Sequence, residues 1–412
     1  MNEHESVPNI RFKGFEDEWK NLKLGELSEI ARGASPRPIN NKKWFSKNSK
    51  IGWLRISDVT EQNGRIFYLK QKLSIQGQKK TRVIKTKHLL LSIAATVGSP
   101  VINYIPTGVH DGFLIFYNPK FDIEFMFQWL QKYRKNWSKF GQPGSQVNLN
   151  SEIVRNQKVY IPEEKEEREI ANLFLKIDRL LDLQQQKIES LELLKNVLLQ
   201  KLFPKHDKKI PELRFKVFND EWTKEKLSKL GHTFSGLSGK NKRDFGHGKA
   251  KYITYMNVFK NPLTSKTGLD NIEVDSKQHT VKYGDVLFTM SSETPEEVGM
   301  SSVWKYHLEN IYLNSFSFGY RHGTKFDLNF LAFMFRSQVL REQIKILAQG
   351  ISRYNISKNK MMDILAYFPT EPEQQKIGNL LSKVYQLIEL ENKKLEDLQQ
   401  FKKCLLQNMF VE

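Results

Sequence analysis

Two kinds of residue in this 412-residue chain could do chemistry: a few isolated acid, imidazole and thiol groups, and a larger set of basic and amide-bearing loops. The first kind does not assemble into a recognisable site. His110 stands beside Asp111 but no serine or cysteine nucleophile motif accompanies the pair, and the nine histidines include no HxxxH spacing. A structural histidine is the simpler reading. The string PEEK at Pro162–Lys165 resembles a nuclease fragment, yet it falls where a helix should begin, and acidic side chains are favourable at that end of the helix dipole. The one cysteine, Cys404, rules out an internal disulfide framework and a multi-thiolate zinc site; its place in a late helical pattern suits a small hydrophobe. No GxxxxGK[ST] loop is present, and GHGKAK is too short to serve as one. No Gly-rich cofactor loop is paired with an Asn-Pro-Pro-aromatic tetrapeptide, so a methyl donor should not bind here.

The second kind is more informative. Arg32 leads into GASPRPINNKKWF, which carries Ser35, Arg37, Lys42 and Lys43; GQKKTRV supplies Lys80 and Arg82. GQPGSQVN adds Gln142, Ser145, Gln146 and Asn148. Later loops repeat these types: SGKNKRDFGHGK with Ser238, Lys240, Lys242 and Arg243, then Ser291 in SSETPEEVG, then GISRYN with Ser352, Arg353, Tyr354 and Asn355. Arg and Lys reach guanine edges or phosphates, Asn and Gln pair bidentately with adenine, and Ser holds the phosphate chain. For any one of the cations a solvated surface charge remains the simpler reading. Gln146, Asn148, Arg353 and Asn355 stand out because matching loops occur twice. Glu293 would either accept from cytosine or face solvent, and Trp44, Trp53 and Tyr255 suit a core better than a base-stacking platform.

These loops need a frame, and the chain supplies it twice. PNIRFKGFEDEWKNLKLGEL returns as PELRFKVFNDEWTKEKLSKL, matching Pro8, Arg11, Phe12 and Trp19 to Pro211, Arg214, Phe215 and Trp222 at an offset of 203. From Pro162 and Pro369 a second pair of segments aligns at an offset of 207. Each copy therefore has a lead-in motif, a variable body and a helical tail. In the first body KIGWLRISDV, TKHLLLSIAATVG and DGFLIFYNP read as strands between Gly, Pro and Asn breaks, as do KYITYMNVF, GDVLFTMSS and LNSFSFGYRH in the second. Each body should close with a helix, near Phe125–Lys135 and near Leu328–Leu347.

The tails, from about Glu163 to Phe203 and its copy, carry a helical seam. Phe174, Ile177, Leu181, Ile188, Leu191, Leu198 and Leu202 each have a counterpart 207 positions on: Leu381, Val384, Ile388, Leu395, Leu398, Leu405 and Met409. The seams break in register at Gln184 and Glu391 and again at Lys195 and Lys402, where polar groups can fix alignment. Antiparallel pairing would bring Gln184 near Glu391 and make the chain a pseudo-dimer. An ordinary coiled-coil linker, or a seam for another protein, is the blander possibility.

Composition bounds the function. With 65 Lys and Arg against 46 Asp and Glu the net charge is +19, which favours polyanionic partners. No stretch is both long and uncharged enough to cross a bilayer, and MNEHESVPNI does not resemble a secretion signal, so the cytoplasm is the expected compartment.

The order of lead-in motif, variable body, terminal Asn loop, proline and long helix, given twice, resembles the specificity subunits of type I restriction-modification systems. RFKGFEDEWK with RFKVFNDEWT, IARGASPRP leading to IGWLRISDV, and IPEEKEEREIANLF with FPTEPEQQKIGNLL carry the likeness. The second body departs by offering SGLSGKNKRD in place of GASPRP. The resemblance implies an α+β, pseudo-twofold chain. Target-recognition domains at 1–161 and 206–368 would be joined and spaced by antiparallel coiled-coil helices at 162–205 and 369–412. It further implies a non-catalytic subunit that reads a bipartite, asymmetric site in double-stranded DNA. Two modification subunits would bind S-adenosylmethionine and methylate adenine; restriction subunits would add ATP- and magnesium-dependent translocation and cleavage. The contrasting expectation is a coiled-coil scaffold whose bodies dock other proteins.

Overall fold

The computed structural model describes residues 6–140, 149–205 and 208–411. Its contacts form two compact units, Met1–Gln185 with Lys394–Glu412, and Gln186–Lys393. Each unit thus takes one body and part of each long helix, so compactness does not respect the segment limits read from the sequence.

The strands of the first unit are β1 (Lys20–Lys23), β2 (Glu29–Arg32), β3 (Gly52–Trp53), β4 (Arg65–Ile66), β5 (Arg82–Ile84), β6 (Leu89–Ser92), β7 (Pro100–Asn103), β8 (Thr107–Val109), β9 (Phe113–Tyr117) and β10 (Lys158–Ile161). A five-stranded sheet has the order β2-β9-β6-β7-β4, a smaller one β3-β8-β5, and β1 pairs with β10. Leu89–Leu91 of β6 and Phe113–Phe116 of β9 are apolar at every position because both faces of the sheet are covered. Leu89, Leu91, Leu114 and Phe116 face one core with the helix Ile123–Tyr133, while Leu90, Phe113 and Ile115 face another with Leu54 and Val109. Alternation of side chains along a strand divides them this way. Asp122 caps the helix by accepting from the N–H groups of Glu124 and Phe125.

The second unit repeats the plan with β11 (Thr223–Lys226), β12 (Gly231–Ser235), β13 (Phe245–Ile253), β14 (Leu269–Ile272), β15 (Val286–Thr289), β16 (Ser291–Ser292), β17 (Ser301–Val303), β18 (Ile311–Leu313), β19 (Ser317–His322), β20 (Tyr354–Asn355) and β21 (Leu365–Phe368). Its main sheet, β12-β19-β15-β17, matches β2-β9-β6-β7 strand for strand, and β11-β21 matches β1-β10. The small sheets diverge: β3/β8 and β13/β18 are both parallel pairs, but the third strand joins β8 in one unit and β13 in the other. The single helix expected near Leu328–Leu347 is two, Leu328–Met334 and Gln338–Ile346. Between them Arg336 turns inward and donates to the carbonyls of Ser301, Val258 and Phe259, which an uninterrupted helix would not allow.

The long helices run Glu164–Lys201 and Glu371–Asn408, 38 residues each. At ~1.5 Å per residue each is about 57 Å long. They pair antiparallel within each unit: Phe174 and Ile177 share a core with Leu405 and Met409 in the first, and Leu198 and Leu202 with Leu381 and Val384 in the second. The polar interruptions are paired. Lys402 reaches Asp178 at 2.6 Å, Lys195 bonds Glu192, and the buried Glu391 accepts from Lys187 at 3.0 Å, one turn beyond Gln184.

Candidate nucleic-acid interface

In the first unit β2 delivers Arg32 to the end of the main sheet, and the chain then passes so close to the β8–β9 turn that only glycine fits. A Cβ on Gly33 would lie 2.2 Å from the carbonyl oxygen of His110. Ala34 N–H donates to the Val109 carbonyl at 3.0 Å, which sets the loop across that turn. Asp111 gathers the polar side chains on either side of this crossing. One carboxylate oxygen accepts from the Ser35 hydroxyl at 2.6 Å, the other from Arg37 at 2.6 Å, and its backbone carbonyl accepts from Arg32 Nε at 2.6 Å. Burial opposes ionisation of Asp111, but the Ser35 hydrogen bond and the Arg37 guanidinium hold its carboxyl below the ordinary range. His110 is enclosed by Trp53 and Phe113, its Nδ1 accepts from Gly112 N–H at 2.6 Å, and burial lowers its pKa. It is a neutral structural ring, and its neighbour Asp111 organises the basic loop.

Further along, Asn41 caps the short 3-10 turn Lys42–Trp44. Trp44 is buried and donates to the Pro38 carbonyl at 2.9 Å, and the Lys43 ammonium lies 4.3 Å from the Trp44 ring centre. Trp44 and Trp53 are core residues. Lys43 borders an open polar cavity of about 650 Å³ with Ser46, Asn48, Lys50 and Gln78. Lys80 is exposed in the turn before β5. Arg82, at the start of β5, lines a separate cavity with Lys120 and Arg155, so the structure does not bring it together with Lys43. Gln142, Ser145, Gln146 and Asn148 lie outside the described residues.

The second unit builds the same approach from SGLSGKN. A Cβ on Gly236 would lie 2.1 Å from the Asn314 carbonyl oxygen, and Leu237 N–H donates to the Leu313 carbonyl at 2.8 Å. Ser238 and Lys240 therefore occupy the places of Ser35 and Arg37, and this segment is a structural counterpart of GASPRP. The signal was in the sequence: Gly33 and Gly236 differ by 203, the offset of the lead-in motifs. Ser238 is held by the Gln278 amide through both backbone groups, and Lys240 pairs with Asp275 at 2.7 Å. Asn241 then caps the turn Lys242–Asp244, leaving Lys242 and Arg243 exposed.

A second group converges where β16 pairs with β20, setting Ser291 opposite Asn355 and Ser292 opposite Tyr354. Gln349 and Asn355 exchange backbone hydrogen bonds and close the loop that exposes Ser352 and Arg353. Arg353, Ser291, Glu293, Glu297, Tyr255 and Phe316 line a cavity of about 400 Å³, and the Tyr255 hydroxyl donates to the Ser291 carbonyl at 2.7 Å. Glu293 thus borders a basic residue. Asp111, Asp275 and Gln278, which hold the loops, had no signal in the sequence because each lies dozens of residues from its partner.

The family profile described as the type I restriction modification DNA specificity domain matches residues 16–193 and again 219–400. The chain belongs to that family. The specificity subunit of the Escherichia coli type I restriction enzyme EcoprrI is 32% identical over 120 residues, which is 28% of this chain and 29% of that one. Less than a third of that relative is therefore spanned. The type I restriction-modification S subunit of M. genitalium shares the fold, with 13% identity, a TM-score of 0.61 and coverage of 98% and 99% of the two chains. A chain from a structure on assembly and conformational transition of the type I system gives 15% identity, a TM-score of 0.58 and coverage of 95% and 97%.

Each specificity domain is also fastened to the long helices. In the first, Arg65 pairs with Glu124 at 2.5 Å and with Asp178 of the central helix at 2.9 Å; Tyr104 and Lys87 donate to the same Glu124. The position equivalent to Asp178 in the second domain is Tyr385, packed beside Phe333. On their outer faces the helices keep apolar side chains exposed: Leu180, Leu183 and Phe401 in the first unit, and their counterparts Leu387, Leu390 and Leu194 in the second. Among the described residues no group of three or more His, Cys, Asp or Glu could hold a metal ion, and no helix is long and apolar enough to cross a membrane.

Proposed function

We propose that this chain is the DNA-reading subunit of a type I restriction-modification complex, each unit reading one half of a bipartite, asymmetric site. One observation carries the reading: two units of one plan present basic loops at the same turn of the same sheet, but fill them with different residues. A shared mount with divergent loops suits two different half-sites on one duplex. The candidate contacts are Arg32, Ser35, Arg37, Lys42, Lys43, Lys80 and Arg82 in the first unit. In the second they are Lys242, Arg243, Ser291, Ser352, Arg353, Tyr354 and Asn355.

The matching exposed triples Leu180–Leu183–Phe401 and Leu387–Leu390–Leu194 favour two copies of one partner, a modification subunit on each unit. S-adenosylmethionine would belong to those subunits, which methylate adenine after flipping it from the duplex. ATP and magnesium would belong to restriction subunits. The chain itself acts by binding, in the cytoplasm.

Mapping methylated adenines in DNA from cells that carry this chain with its modification subunits tests the proposal. The expected result is a single split motif with a fixed gap; methylation without a split motif overturns it. Binding should also weaken steeply with salt, log K falling by about 0.9 per log unit of salt for each phosphate neutralised. A flat response would favour a protein-docking scaffold instead.

A further inference from the structure

We propose that Arg37, aimed by Asp111, reads a guanine in the first half-site, and that Lys240, its counterpart in the second unit, is a strut that reads nothing. The inference rests on the DNA-reading function proposed above. The counterparts are set by backbone geometry: each stands four residues beyond the glycine that closes onto the β8–β9 or β18–β19 turn. Both are paired with an aspartate, at 2.6 Å and 2.7 Å. Their exposure separates them. The Arg37 side chain is 71% exposed despite its ion pair, whereas that of Lys240 is 14% exposed.

A guanidinium has five N–H donors in a planar fork, and Asp111 engages it through one nitrogen, leaving the rest of the fork for a partner with two acceptors. The major-groove edge of guanine offers such a pair in O6 and N7. The carboxylate is itself held, by the Ser35 hydroxyl and by the bond from Asp111 N–H back to Ser35 Oγ at 3.2 Å. The fork is therefore ordered before DNA arrives, which lowers the entropic cost of a directional contact. A cation serving only phosphates gains nothing from such an aspartate, whose charge opposes polyanion binding. A base-reading cation gains direction. The ammonium of Lys240 is tied down instead, by an Asp275 carboxylate that also accepts from Lys277 N–H at 2.9 Å and from Gln278 at 3.2 Å. It ties the loop to the small sheet's neighbouring turn, and presentation passes to the exposed Lys242 and Arg243.

The test is selection of preferred sequences from randomised duplexes by the full chain assembled with its modification subunits, alongside the thermal midpoint of each variant. Arg37→Met should lose preference for one G·C pair of the first half-site by roughly five- to 150-fold, the range a bidentate contact supplies, with the second half-site intact. Asp111→Asn should weaken preference at the same pair while tightening binding to unrelated duplex, a split that a merely structural role would not produce. Lys240→Met should lower the midpoint and leave both half-sites unchanged. A first half-site without guanine, an Arg37→Met variant that keeps its preference, or a Lys240→Met variant that changes a base of the second half-site would overturn the inference. If the unsubstituted chain selects no split motif, the proposed function has failed; if it does and Arg37→Met is indifferent, only this assignment has.

Discussion

At the residue scale, Gly33 and Gly236 each sit where a methyl group would meet a backbone carbonyl at 2.2 Å and 2.1 Å. Neither neighbour is a flexible side chain that could swing away. Gly33→Ala should therefore cost on the order of 1–3 kcal/mol and blur the first half-site, and Gly236→Ala the second. Gly323→Ala, with nothing within 4 Å of the added carbon, is the control and should unfold as the parent does in thermal denaturation. Glu167 carries a different prediction. It is buried and accepts from Asp122 N–H at 2.6 Å, and burial pushes its pKa up to about 7. In the second unit Gln374 holds the corresponding place, accepting from Asp327 N–H at 3.1 Å. Because the folded pKa lies above the ordinary carboxyl value, the folded chain keeps a proton that the unfolded chain has released. Stability is then greatest at low pH and is lost as pH rises through about 7. Glu167→Gln should be nearly neutral at pH 5 and stabilising by roughly 1–3 kcal/mol at pH 8, measured by denaturant unfolding at both values.

At the scale of elements, the lead-in motifs have a mechanical role. Arg11 pairs bidentately with Glu166, and Arg214 with Glu373, each carboxylate being buried in the first turn of a long helix. Trp19 and Trp222, from the same lead-in motifs, are buried in their units' main cores. Removing one member of a buried pair leaves the other uncompensated, at about 3–5 kcal/mol. Arg11→Met and Arg214→Met should each produce a loss on the order of 3 kcal/mol, seen as an early transition in calorimetry, with the companion unit unaffected. The repeat of RFK and of the acidic helix start was plain in the sequence. Their contact was not, because the partners lie 155 and 159 residues apart. The break at Arg336 was likewise invisible, since apolar periodicity continues through it and only the buried carbonyls it serves explain the interruption.

For the whole molecule, the spacing prediction comes from paired helices of equal length. Deleting Leu191–Val197 together with Leu398–Cys404 shortens each helix by seven residues, about 10 Å, while keeping the seam in phase. The gap in the recognised site should contract by about three base pairs and both half-sites should persist, as methylated-adenine mapping would record. A change in either half-site would count against a division of labour between bodies and helices.

Duplication, helical seam and α+β class were legible from residue order because they depend on periodicity and repetition, which a linear string carries in full; the family was legible only through the resemblance of its motifs. Tertiary structure alone decided that Arg82 and Lys43 border different cavities, and that Asp111, Asp275 and Gln278 hold the loops. Those are contacts between segments brought together by sheet register. Residue types announce what can bond, but only the folded backbone sets which of them come within reach.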